Sequence, residues 1–384
     1  MKKKGKGVAK ILTYVVFLLM WAFVGYMVGM MMPDLAPNLS DVPGGGILFF
    51  AGAICGLYVA LILQTILHEL GHLVFGLLSG YRFCSFRIGS FMWVESDEGI
   101  RFARRRMAGT MGQCLMTPPD DWKTASVLPY HLGGCLMNLI VAGLCFGVRA
   151  LAGSGGIVGY FCMVMALVGV MFALANGLPL KTSTLNNDGS NALEALRSQD
   201  ARRALWQQMK LAEAMAAGQS LRDMPETFFF LPEGADMSNS LIASIAVFQE
   251  NRLMDSLNLD AARAMCQRLL QADTGIIGLH RCQLCCDQAY CAAISERESA
   301  DMTAFLEKSQ QRMMKRMASD PSVIRTQYAV ALLHDRDLLS AQKWQGIFDE
   351  AIKNYPYAGA VAGEKELMAL ADATANRQEN AAKG

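Results

Sequence analysis

His68 and His72 stand four residues apart with Glu69 between them, in "HELGH", inside an otherwise apolar stretch from Ile62 to Gly80. On an α-helix, residues four apart share a face, so both imidazoles can aim at one point, as a metal ion requires. Glu69 sits beside that point. It is near enough to take a proton from a metal-bound water and return it to a leaving amine without being a ligand. The chemistry this spacing points to is zinc-assisted peptide hydrolysis. A five-residue match also arises by chance, and a buried histidine is commonly satisfied by hydrogen bonds. The apolar setting favours chemistry, since an unpaired acid at mid-bilayer costs roughly 2.5–3.5 kcal/mol.

Catalytic zinc takes three protein ligands, so two histidines need a partner. Asp188, in "NNDGSNAL" just after the last long apolar run, is the best candidate, with a plain Asn-Asp-Gly turn as the alternative. Glu194 is the third ligand in a different reading, a membrane-anchored zinc enzyme whose catalytic domain is cytosolic. "HLGGCLMNLI" holds Gly133, Gly134 and Asn138. The glycines permit close helix approach, and the Asn138 amide is able to hold a substrate carbonyl or a developing oxyanion. Packing alone also accounts for the glycines. His131 reads as an interfacial side chain or a spare ligand. Cys282, Cys285, Cys286 and Cys291, with His280 before them, lie in a helical stretch where buried structural thiols are favoured over a second metal site.

Positioning these residues falls to a membrane half. Hydrophobic residues make up 53% of the 384 and charged ones 18%, too apolar for an ordinary soluble domain. Runs near 11–32, 47–79, 131–151 and 156–176 reach the roughly 20 residues that span a hydrocarbon core, predicting about four transmembrane helices. Lysines 2, 3, 4, 6 and 10 precede the first run and seven basic residues lie between the second and third, whereas the loop 33–46 has Asp34 and Asp41 and no lysine or arginine. The positive-inside rule then puts both termini in the cytoplasm, with the first run an uncleaved anchor. A net charge of +1 argues against nucleic acid as partner. Eleven scattered cysteines suggest reduced thiols.

Three patterns in this order resemble the site-2 protease family of intramembrane zinc metalloproteases. "HELGH" is similar to its zinc helix, "GCLMN" at 134–138 to its Gly-Pro-x-x-Asn motif, and "NGLP" followed by "NDG" to its Asn-x-x-Pro and Asp-Gly element. The resemblance implies zinc ligands His68, His72 and Asp188, Glu69 as general base, and Asn138 and Asn176 as substrate or transition-state contacts. "FRIG" at 86–89 resembles the family's β-hairpin after the zinc helix, whose edge could align an unwound substrate as an added strand. Cys135 replaces the usual proline, and extra residues separate Pro179 from Asp188. The segment between the second and third runs is too short for a PDZ domain as well as the hairpin. The implied activity is intramembrane proteolysis of transmembrane segments, and the unadorned inner-membrane topology points to a bacterial cell membrane. The resemblance covers about 60–190.

The expected organisation is a membrane-embedded metalloprotease core over 1–190, an all-α cytosolic domain over 191–375 and a flexible tail over 376–384. Within the second, "YAVALLHDRDLLSAQKWQGIFDEAIKNYP" resembles a tetratricopeptide repeat, with Phe348, Ala351 and Pro356 at repeat-like spacing, and degenerate helical hairpins are an equal alternative. Such a stack would offer a surface to a cytosolic protein partner. A reading from another class is a noncatalytic membrane-anchored helical scaffold with a vestigial metal site.

Overall fold

The computed structural model describes residues 45–383 except 97–98, 108, 153–155, 180–184 and 296–299, together with 15, 18–19, 22–27 and 29–30. The expected first span and the loop after it fall largely outside the described residues. Among the described residues, three helices are long and apolar enough to cross a membrane: α1 (Gly45–Leu78), α2 (Val127–Ala152) and α3 (Gly156–Gly177). The chain divides into two compact units, Met1–Gly80 with Ser126–Thr182 and Asn186–Leu193, and Tyr81–Ala125 with Ser183–Leu185 and Glu194–Gly384. The division is therefore interleaved, whereas a single boundary near 190 was expected.

In the first unit, α1, α2 and α3 pack through small residues. A Cβ on Gly133 would lie 2.7 Å from the Gly71 carbonyl oxygen and 2.9 Å from the Phe75 Cβ, and one on Gly71 would strike the Gly133 backbone. Gly169 is similarly tight, with 2.7 Å to Gln64 Nε2 and 2.9 Å to the Asn138 carbonyl oxygen. Glycine at these crossings lets helix backbones touch, which supplies the packing that apolar lipid does not. Ala60, Val164 and Val168 fill the remaining space.

The second unit contains more strand than the expected hairpin. Four antiparallel strands, β1 (Arg82–Ile88), β2 (Phe91–Ser96), β3 (Gly99–Arg104) and β4 (Gly112–Thr117), lie in the order β3-β2-β1-β4. Pairs Phe86↔Trp93 and Trp93↔Phe102 put aromatic side chains in one row across three strands. On the other face Met92, Val94 and Ala103 pack with Ala216 and Tyr357. The edge strand β3 is covered at one end, where Arg104 N–H donates to the Asn354 carbonyl at 2.9 Å.

The helices that follow are α4 (Asp188–Arg197), α5 (Gln199–Ala216), α6 (Ser240–Asp255), α7 (Leu259–Gln271), α8 (Gly278–Ile294), α9 (Ala300–Leu306), α10 (Lys308–Arg316), α11 (Pro321–Ala329), α12 (Leu338–Ile352) and α13 (Ala358–Lys383). A π turn at Val330–His334 separates α11 from α12 inside the repeat-like segment. Side-chain caps start several of them, Ser198 for α5, Asn239 for α6 and Asp320 for α11. Cys282, Cys286 and Cys291 are buried in the cores around α8, Cys285 is buried on the same helix, and all four thiols are free. The tail expected to fray instead continues α13 to Lys383. From Asn376 to Lys383 there is no Gly or Pro, and Ala, Arg, Gln, Glu and Lys outnumber the two asparagines, which favours a helix.

Candidate metal centre

The two histidines of HELGH lie on one stripe of α1 in the first unit. Gln64, His68 and His72 recur every four residues and so face one direction. All three are buried, as is Glu69. His68 Nε2 lies 3.2 Å from His72 Nε2. Asp188 Oδ2 lies 3.0 Å from the first and 3.4 Å from the second. A tetrahedral ion with bonds of about 2.0–2.1 Å spaces its ligand atoms about 3.3 Å apart. The triangle of donors therefore fits such an ion, and among the described residues it is the one group with that property.

The far nitrogens of both rings are already committed. His68 Nδ1 is 2.7 Å from Asn138 Oδ1, and His72 Nδ1 is 2.8 Å from the Tyr130 carbonyl oxygen. An amide or carbonyl oxygen can only accept, so each Nδ1 carries the proton and each Nε2 keeps its lone pair for the shared point. Asn138 is itself held: its Nδ2 donates to Gln64 Oε1 at 2.6 Å and to the Gln64 carbonyl at 3.0 Å. Gln64 Nε2 in turn donates to the Met165 carbonyl at 2.8 Å. The chain from α3 through α1 and α2 to His68 is complete, with Asn138 fully buried.

Asp188 opens α4, and two features place it. Asn187 caps the helix by accepting from Ser190 N–H at 3.0 Å, while its own amide donates to the Ala175 carbonyl at 2.7 Å and the Leu178 carbonyl at 2.5 Å, at the end of α3. Gly189 has no room for a side chain, since an added Cβ would run into the Gly177 backbone.

The other expected residues have different partners. Asn138 bonds His68 and Gln64, where a substrate contact was expected. Asn176 is half-buried and donates to the Phe172 carbonyl of its own helix at 3.1 Å. Glu194, the alternative ligand, receives the Ser240 N–H at 3.0 Å and the Ser240 hydroxyl, at the start of α6. His131 is buried on α2, its ring 4.8 Å from that of Tyr130. Gln64 and Asn187 were missed by the sequence reading. Gln64 signalled itself as a polar residue one turn before His68, and Asn187 as a capping residue before an acidic first turn. The Tyr130 carbonyl had no sequence signal, because any residue supplies one. Comparison with family models, with curated proteins and with solved structures found no match to this chain.

Proposed function

We propose that the chain is an intramembrane zinc endopeptidase that hydrolyses peptide bonds in or near the transmembrane segments of other proteins. The observation that carries this reading is the triangle of His68 Nε2, His72 Nε2 and Asp188 Oδ2, with edges of 3.0–3.4 Å, beside a buried glutamate. Two neutral imidazoles and one carboxylate suit zinc among the divalent ions. Zinc bound there supplies Lewis acidity and a water acidified toward neutral pH.

The remaining work falls to the chain. Asn138 and the Tyr130 carbonyl hold the two rings in the tautomer that leaves Nε2 free, and Gln64 holds Asn138. Glu69 follows His68 on α1 and is buried within electrostatic reach of His72. On this reading its carboxylate collects a proton from water and passes it to the leaving amine. The glycine-lined helix crossings keep this polar group enclosed by protein in an apolar segment. Substrates on this reading are membrane-spanning helices able to unwind locally. The chain lies in a cell membrane with both termini cytoplasmic, and the helical unit meets a cytosolic partner.

Glu69→Gln tests the proposal. In full-length protein reconstituted in lipid, this variant keeps about one zinc per chain and loses cleavage of a transmembrane test segment by at least about a hundredfold. Unchanged cleavage removes the peptidase reading, and zinc retained with no cleavage in the unaltered protein favours the scaffold.

A further inference from the structure

His131 is the one buried imidazole of the first unit that the candidate metal centre does not use. Its Nε2 is enclosed and has no hydrogen-bond partner among the described residues, although the residue is only 7% exposed. A core position would avoid that desolvation with an apolar side chain of similar size.

Its place on α2 gives the atom a direction. His131, Gly134 and Asn138 are spaced by three and four residues, so they share one face of the helix. That face is turned toward the metal-binding residues. A Cβ on Gly134 would lie 2.6–2.7 Å from the His68 ring, and Asn138 bonds His68 Nδ1. The residue before His131 gives its carbonyl to His72. His131 lies within electrostatic reach of Asp188 and His72, yet it is outside the three-residue group that could hold an ion. The neighbouring amide that the sequence offered for a substrate carbonyl, Asn138, has its oxygen and nitrogen engaged with His68 and Gln64.

We propose that His131 Nε2–H is the substrate-contacting donor of this site, binding the carbonyl oxygen of the peptide bond held beside His68, His72 and Asp188. The assignment rests on the peptidase reading and specifies its substrate contact. No covalent bond to His131 forms. Its hydrogen bond strengthens as negative charge develops on that oxygen, which is how a preorganised donor favours a transition state over a ground state.

Full-length protein in lipid nanodiscs, loaded with Zn²⁺, carries the test in the His131→Phe and His131→Gln variants. Three quantities are read: zinc per chain, affinity for a peptidyl hydroxamate, and kcat and KM for a transmembrane test peptide. His131→Phe is expected to keep its zinc, bind the hydroxamate about tenfold more weakly and lose about a hundredfold in kcat with KM little changed. His131→Gln, which retains an N–H donor, recovers at least about tenfold of that kcat. Wild-type affinity and kcat in His131→Phe overturn the proposal, as does loss of zinc, which would make His131 a ligand. If both variants fall equally, the effect is packing and the proposal fails. A wild-type protein that holds zinc but neither binds the hydroxamate nor cleaves removes the peptidase reading itself, and that outcome is distinct from failure of the variants alone.

Discussion

Asn138 Oδ1 accepts from His68 Nδ1 at 2.7 Å, which makes an asparagine on one membrane-length helix the orienting partner of a candidate ligand on another. Removing such a partner typically weakens metal affinity about 10- to 100-fold. Asn138→Leu should therefore bind zinc more weakly by that factor in chelator competition. Asn138→Asp, which still accepts from Nδ1, should bind more tightly than the leucine variant.

Asp188 and Glu194 are six residues apart and have separable roles. Asp188→Ala removes one of three donors and should abolish stoichiometric zinc. Glu194→Ala leaves the donors intact but removes the acceptor for Ser240 at the start of α6. It should retain zinc while costing about 0.5–2 kcal/mol in unfolding of the helical unit. Zinc analysis beside thermal unfolding separates the two.

These roles show what the sequence made legible. HELGH pointed to a shared site because histidines four apart on a helix share a face, and the search for a third donor led to Asp188, which the structure brings within reach of both rings. The bonds of Asn138 to His68 and Gln64 were not legible, because an amide's partner depends on the rotation of two helices, which no spacing within one helix encodes. The sheet was read as a hairpin because β4 pairs with β1 across about 25 intervening residues. Its six residues, "GQCLMT", carry only a short alternation. The helix over the tail was not anticipated, because the lack of apolar anchors there outweighed helix propensity in the reading of its composition.

Glycine positions on α2 give an internal control. Gly134→Ala would press a methyl group into the His68 ring, whereas Gly143→Ala and Gly147→Ala meet no atom within 4 Å. Overpacking of this kind costs about 1–3 kcal/mol. Gly134→Ala should lower both zinc affinity and thermal stability, and the other two should leave zinc binding unchanged.

The helical unit buries an ionic cluster. Arg325 Nη2 is 2.6 Å from Asp287 and its Nε is 2.9 Å from Glu364, with the guanidinium 4.4 Å from the centre of the Tyr290 ring. Arg325→Met leaves Asp287 buried without its counter-ion. Unfolding followed by denaturant should show a loss of about 3–5 kcal/mol. Asp287→Asn combined with Arg325→Met should recover part of it.

Glu250 lies in the same unit, fully buried, accepting from Cys266 Sγ at 3.2 Å. Burial first, and then the Asp287 charge, push its carboxyl well above the usual range. The folded chain thus holds this proton to higher pH than the unfolded chain does. Stability is fully present below the unfolded value near 4.5 and declines as pH rises through the folded value. Asp287 and Glu364 are raised in the same direction by burial, so they add to the decline. Glu250→Gln removes one titration and keeps an acceptor for Cys266. Its thermal midpoint should fall less steeply than that of the unaltered protein between about pH 5 and 8, crossing to higher stability at the alkaline end. Parallel curves for the two proteins would mean that Glu250 is ionised alike in the folded and unfolded chains.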